Sequence, residues 1–466
     1  MSQLSKNKKN IGTLVPLSAL TSINSKKEDQ GTFETGMYFL DWLHKVGQNA
    51  WQILPLNLTQ LETGSRTTRV PSPYKGYGVG LDPKYLPSAF ANNNPAQDEL
   101  NFFMETNNDW ISDYALFCAI SDDLGTDDWR KWDEGLRKRD QSALNKVRNS
   151  LKKKIKDHIL IQWRLDSAYK ALREKAKRLN IQLIGDLPFY VSVKSPLVWV
   201  HQDVFQFEKD SELRYVSGIP DTPAAHFGRQ VWGHPLYKWD TKHEKDVIKF
   251  WEIRIKYLSQ LFDSIRFDHA KGLFDYGVVD LQNKSEDRYV KGPGSLVFEK
   301  LMLFGERCGL SIFAEDSGEN LSVLRETLVK LKTPGIKIFR FALNEKKKKL
   351  NKEYADLSNY PINTVVYTTT HDTESLILYL EMLSTEQKQQ LAIYANAMYS
   401  PKDVKFALSL REAVINSNAK TVIIPIQDWL LTKDRINIPG TEKEINDPNW
   451  RFILKSPIEK LALRNF

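Results

Sequence analysis

Three short apolar runs in this chain each end in a carboxylate: Ser264-Ile265-Arg266-Phe267-Asp268-His269, Ile312-Phe313-Ala314-Glu315-Asp316 and Val365-Val366-Tyr367-Thr368-Thr369-Thr370-His371-Asp372. The apolar run is the pattern of a buried strand, and its end hands the carboxylate to a loop. A carboxylate and a carboxylic acid on either side of an oxocarbenium-like centre cleave a glycosidic bond, and the retaining version sets them about 5–5.5 Å apart. Asp268 suits the nucleophile. Side chains on a strand alternate with period two, so Arg266 shares its face, and a guanidinium keeps a carboxylate ionised. Glu315 suits the acid, because burial behind Ile312, Phe313 and Ala314 raises a carboxyl pKa toward a general acid's. Asp372, next to His371, suits a third carboxylate that holds sugar hydroxyls as the ring distorts. Any one of the three reads more readily as a cap or an ion pair at a strand end. Three in barrel order, two of them with basic neighbours, favour chemistry.

Such residues need strands that converge on one face. Eight short apolar runs occur in order, at 10–16, 50–55, 181–186, 264–268, 311–315, 335–341, 364–370 and 421–427. Helical patterns separate several of them, at 160–179, 243–262 and 375–397. Strands alternating with helices predict a parallel sheet, and eight of them predict a closed (β/α)8 TIM barrel, an α/β fold with its chemistry at the carboxyl ends of the strands. About 125 residues separate the second and third runs and about 75 the third and fourth, far beyond an ordinary connection. We therefore expect one catalytic barrel domain over residues 1–466 with largely helical subdomains inserted on the catalytic face, at about 57–160 after strand 2 and 190–245 after strand 3. A helical segment is expected at 375–420, between strands 7 and 8.

With 466 residues, 41% hydrophobic and 27% charged, the chain has ample core for this fold. The net charge of +8 comes mainly from lysine runs such as Lys152-Lys153-Lys154 and Lys346-Lys347-Lys348-Lys349, which read as solvated faces. No nucleic-acid-binding motif accompanies them, so no nucleic-acid partner is expected. The two cysteines, Cys118 and Cys308, have no metal or redox spacing. No phosphate loop, dinucleotide glycine turn or ligand cluster marks a cofactor or metal, and none is expected. No apolar stretch is long enough to span a membrane, and the polar, lysine-bearing stretch 1–10 does not read as a secretory signal, so a cytoplasmic location is expected. Oligomeric state cannot be read from the sequence.

Several stretches together resemble one family over nearly the whole chain: Trp51-Gln52-Ile53-Leu54-Pro55-Leu56, Ser72-Pro73-Tyr74, Ile184-Gly185-Asp186-Leu187-Pro188-Phe189-Tyr190-Val191 and Gly228-Arg229-Gln230-Val231-Trp232-Gly233. The match continues through Arg266-Phe267-Asp268-His269, Ala314-Glu315-Asp316, Pro334-Gly335, Thr370-His371-Asp372 and Arg435-Ile436-Asn437-Ile438-Pro439-Gly440. The chain looks like a 4-α-glucanotransferase of the amylomaltase or disproportionating type, glycoside hydrolase family 77 in the α-amylase clan. The resemblance implies Asp268 as nucleophile, Glu315 as acid/base and Asp372 as transition-state stabiliser. It also implies glucan contacts from Tyr74, Asp186, Gln230, Trp232, Arg266, His371, Asn437 and Pro439. The implied substrates are α-1,4-glucans and maltooligosaccharides, in starch and glycogen metabolism. Departures occur at His234, where Asn is usual, at Ala270 and Lys271, which replace an aromatic and an Arg, and at Thr369 and Thr373, which replace Gly and Asn. The loop 219–227 lacks the usual Pro-Pro-Asp, and Phe452-Ile453 follows Asn449-Trp450-Arg451 without a second Arg.

The expected activity is retaining transfer of a glucan segment to the 4-hydroxyl of another glucan or glucose. Two alternatives stand beside it: hydrolysis by the same carboxylates, with water as acceptor, and an inactive glucan-binding protein. Nothing local to the carboxylates separates transfer from hydrolysis. The long insertions favour transfer by excluding water, and the intact carboxylate set disfavours mere binding.

Overall fold

The computed structural model describes residues 9–221, 228–318, 320–344, 349–441 and 449–461. Residues 1–8, much of the loop 219–227 and Lys346 to Lys348 of the second lysine run lie outside the described residues. Eight parallel strands form one sheet: β1 (Asn10–Leu14), β2 (Ala50–Gln52), β3 (Gln182–Leu187), β4 (Ser264–Phe267), β5 (Ser311–Ala314), β6 (Gly335–Ile338), β7 (Thr364–Tyr367) and β8 (Thr421–Pro425). Their spatial order is β5-β4-β3-β2-β1-β8-β7-β6, so neighbours in sequence are neighbours in space and β1 pairs with β8 from Asn10↔Thr421 to Leu14↔Pro425. Each strand begins within one residue of its expected start.

The last edge, between β5 and β6, closes by a substitute for a ladder. Ala314 N–H donates to Pro334 O at 2.9 Å, and Ile336 N–H donates to the Asp316 carboxylate at 2.7 Å. A side-chain oxygen thus stands where a strand carbonyl would. Gly335 permits the approach, since a Cβ there would lie 2.8 Å from Asp316 Oδ1. Alternation along the strands sends Leu14, Ala50, Ile184, Phe313, Ile338, Tyr367 and Ile423 into one buried cluster, and a larger apolar cluster takes in the helices and insertions.

The helices include Phe33–Lys45, Lys152–Arg178, Glu244–Leu261, Ser295–Arg307, Ser322–Leu331 and Asp403–Ile415. The pattern expected as one helix at 375–397 divides into Leu376–Glu381 and Thr385–Tyr394. The break is a capping box: Ser384 N–H donates to Gln387 Oε1 at 2.8 Å while Gln387 N–H donates to Ser384 Oγ at 3.2 Å.

The stretch after β2 holds a hairpin, Asn57–Thr59 with Gly76–Leu81, and then helices Gln97–Thr106, Ile111–Leu124 and Gln141–Ser150. The stretch after β3 holds two strands beside the short helix Pro196–Val200. Tyr215–Ile219 and Gln230–Pro235 pair antiparallel, and Asp275–Asp280 and Arg288–Lys291, which follow β4, complete a four-stranded sheet. Their branched and aromatic residues, such as Val216, Tyr276, Val278 and Val279, favour a pleated surface.

Candidate active site at the carboxyl ends of the strands

The register of β3 on β4 places Asp186 directly opposite Arg266, and that of β4 on β5 places Arg266 opposite Phe313. From this position Arg266, 6% exposed, gathers three carboxylates. Its Nη1 donates to Asp186 Oδ2 at 2.6 Å, and its Nη2 donates to Asp268 Oδ1 at 2.7 Å and Glu315 Oε2 at 2.8 Å. Two oxygens within 2.8 Å of one nitrogen can be no further apart than twice that distance. That bound keeps these two oxygens below the about 6.5–9.5 Å that an inverting pair needs.

Tyr74 arrives from the insertion after β2, 112 residues from Asp186, in the short turn Pro73–Lys75. Its hydroxyl donates to Asp186 Oδ2 at 2.6 Å and meets His371 Nε2 at 2.9 Å, and its ring stacks on His371 with centroids 5.7 Å apart. Because the tyrosyl proton goes to Asp186, the network assigns the proton on Nε2 to His371, which also faces Asp372 Oδ2 at 3.1 Å. Asn437 donates Nδ2–H to Asp372 Oδ1 at 2.7 Å and its backbone N–H to His371 O at 3.0 Å. Asp186, Arg266, Asp268, Glu315, Tyr74, His371, Asp372 and Asn437 are therefore one connected network.

Gln230 and Trp232 sit beside it. Trp232 donates to Gln230 Oε1 at 2.9 Å and meets the His269 ring edge-on at 5.0 Å. Pro439 is the first central residue of a turn closed by Thr441 N–H on Ile438 O at 3.2 Å, and Gly440 (φ 80°) follows it. That turn lies against Gln230, whose Cγ is 3.5 Å from where a Gly440 Cβ would stand.

The surroundings of Asp268 and Glu315 shift the two carboxyls in directions opposite to those the strand patterns predict. Burial opposes ionisation of Glu315, but Arg266, the Ser317 hydroxyl at 2.6 Å and the His269 N–H at 3.0 Å outweigh it and bring Glu315 down to about 2. Burial pushes Asp268 well above the usual carboxylate range. Arg266 opposes this, while the neighbouring Asp186, Glu315 and Asp372 reinforce it. Asp372 is also resisted by burial, yet His371 and Asn437 bring it down to about 2. Counting donors explains the contrast: Glu315 has three and Asp268 has Arg266. His269 supplies its N–H from a left-handed backbone (φ 50°, ψ 39°), uncommon for a non-glycine residue.

The sequence patterns missed Ser317, the His269 N–H, Trp450 and Asp428. Trp450 packs on both Tyr74 and His371, at 5.4 and 5.8 Å. Asp428 accepts from the Thr368 and Thr369 hydroxyls at 2.5 and 2.6 Å and from Leu376 N–H at 2.6 Å, pinning the root of the His371–Asp372 loop. It follows the eighth apolar run as the other carboxylates follow theirs, so the same signal marks it. Among the described residues no group of three His, Cys, Asp or Glu is placed to hold a metal. Cys118 and Cys308 are unpaired, and burial pushes the Cys118 thiol up to about 12, so it is no thiolate at neutral pH. None of the described helices is long and apolar enough to cross a membrane.

A parallel barrel that gathers carboxylates at the carboxyl ends of its strands is an arrangement suited to glycosidic-bond chemistry. A family model described as 4-alpha-glucanotransferase matches residues 17–86 and 80–457, and the chain belongs to that family. It is 31% identical over 456 residues to the 4-alpha-glucanotransferase of Aquifex aeolicus, covering 90% of each chain. It is 29% identical over 480 residues to that of Clostridium butyricum, covering 93% of this chain and 95% of the relative. Among solved structures it is similar to an amylomaltase from Streptococcus agalactiae in complex with acarbose, at 25% identity and a TM-score of 0.83, covering 98% of this chain and 97% of that one.

Proposed function

We infer that this protein is a 4-α-glucanotransferase that cuts an α-1,4-glucan, holds the donor segment on Asp268 and passes it to the 4-hydroxyl of a second glucan or of glucose. The observation that carries the reading is the single Arg266 nitrogen shared by Asp268 and Glu315. It keeps their nearer oxygens closer than an inverting pair would stand, which supports a double displacement. In the first step Glu315 protonates the leaving oxygen as Asp268 attacks the anomeric carbon. In the second, Glu315 takes the proton from the acceptor hydroxyl, and the bond to Asp268 breaks. Asp372, oriented by His371 and Asn437, hydrogen-bonds sugar hydroxyls as the ring flattens. Asp186 and Tyr74 hold Arg266 in register, and Gln230, Trp232 and Pro439 are assigned to glucan contacts.

The first step needs Glu315 protonated and Asp268 ionised. A glucan that draws Arg266 toward Asp268 strips a donor from Glu315, which lowers one carboxyl pKa and raises the other.

Maltotriose separates transfer from hydrolysis. Chromatography is expected to show glucose plus a ladder of longer oligomers, and glucose with maltose alone would establish water as the acceptor. A cytoplasmic setting belongs to the same proposal and is supported by two unpaired cysteines, which suit a reducing compartment.

A further inference from the structure

The loop that presents His371 and Asp372 is held at a second point, beyond the carboxylate. Glu374 accepts from two guanidinium groups on the flanking loops. One is Arg340 Nε at 2.8 Å, from the turn Phe339–Ala342 after β6, and the other is Arg435 Nη1 at 3.0 Å, after β8. Arg435 extends Nη2 to Asn437 O at 3.4 Å, and Asn437 in turn grips His371 O and Asp372 Oδ1. Arg340 is a fixed anchor: it is 4% exposed, its N–H donates to Thr368 O at 2.9 Å, and its guanidinium lies 5.2 Å over the Tyr379 ring. A continuous set of contacts therefore runs from Arg340 through Glu374, Arg435 and Asn437 to Asp372.

We propose that Glu374 is a positioning residue for glucan transfer, spanning Arg340 and Arg435 so that Asn437 holds Asp372 where the distorted sugar ring needs it. Each of its oxygens accepts from one of the two arginines, so its link to Asp372 runs through them. The proposal rests on the reading of Asp372 as the transition-state stabiliser. The competing view is a partly exposed ion pair that ties loops together and contributes little, as such pairs commonly do. The two views differ in where the loss falls. A misplaced stabiliser lowers turnover, because its hydrogen bonds strengthen in the transition state, and a displacement of about 1 Å costs on the order of 100-fold.

The test is a double-mutant cycle on maltotriose transfer, with kcat, KM and melting temperature measured for wild type, Glu374→Gln, Asn437→Ala and the double variant. Glu374→Gln keeps the shape but gives up the charge and turns an amide N–H₂ toward one arginine. Its kcat is expected to fall about 10–100-fold with KM within about twofold. Because Glu374 acts through Asn437, the double variant should be no slower than Asn437→Ala alone. A double variant whose loss is the product of the two single losses overturns the proposal, as does Glu374→Gln with kcat near wild type. If Glu374→Gln does not fold, Arg435→Lys serves instead, since it keeps a cation for Glu374 but loses the second prong to Asn437. The same kcat-selective loss is expected, and an unchanged kcat overturns the proposal. Wild type that makes no ladder from maltotriose would overturn the function reading itself, whereas active wild type with additive variants overturns only the role of Glu374.

Discussion

Buried Asp186 and the partly exposed Asp268 and Glu315 surround one guanidinium, so the three carboxyls compete for a single positive charge. Asp268 bears most of this conflict, its folded pKa standing above the unfolded value of about 3.9. Such a group favours folding most below the unfolded pKa, and that contribution is lost as pH rises toward the folded one. Glu315 and Asp372 behave oppositely: brought down to about 2, they stabilise above the unfolded range near pH 4 and lose that contribution as pH falls through about 2. Asp268→Asn removes the strained charge together with the nucleophile. We expect it to lose activity by many orders of magnitude and yet to melt above wild type at pH 7, with the difference shrinking toward pH 3.5. Calorimetry at the two pH values and a transfer assay check both halves. Retention of more than about a tenth of wild-type rate would remove Asp268 from the nucleophile role.

At the scale of elements, the seam between β5 and β6 is the weak point of the barrel and lies next to Glu315. Asp316 supplies an acceptor there for Ile336 N–H and also takes Arg325 Nε at 3.1 Å. Asp316→Ala leaves a buried N–H without its partner, which costs about 1–3 kcal/mol, and frees the strand end that carries Glu315. Asp316→Asn retains an acceptor oxygen and should cost clearly less, although it weakens the Arg325 pair. Urea unfolding of the two variants decides the matter. Equal losses would mean that the Arg325 pair, and not the seam hydrogen bond, is what Asp316 contributes.

For the whole molecule, closure depends on the far end of the described chain returning to the first strand. Beyond the β1–β8 pairing, Leu454 N–H donates to Ala19 O at 2.9 Å and Ile458 N–H to Thr21 O at 2.8 Å. Leu454, Ile458 and Leu461 are all buried against the core. Ile458→Ala should therefore cost about 2–5 kcal/mol in a single cooperative denaturant transition. An unchanged midpoint would show that this strap merely lies on the surface. The strap follows Asn449 and Trp450, and Asn449 Oδ1 accepts from Ile438 N–H at 2.8 Å, so tail and active site are physically continuous.

Local pattern sufficed for where the strands start and for putting Asp268, Glu315 and Asp372 at or just beyond their ends, because apolar alternation and the carboxylate after it are short-range features of one segment. It overran several strand ends by two or three residues, as at 335–341, where the ladder stops at Ile338 and a short helical turn follows. Apolar content does not show where pairing ends. It also could not show that the stretch after β3 joins strands following β4, since pairing between distant segments leaves no mark within either one. Tyr74 reaches Asp186 across 112 residues, and Asp428 pins a loop 52 to 60 residues away. The directions of the carboxyl shifts at Asp268 and Glu315 went against expectation for the same reason. A carboxyl pKa depends on burial and on every donor and charge within a few ångströms, and for Asp268 and Glu315 those neighbours are assembled by strand register and barrel closure.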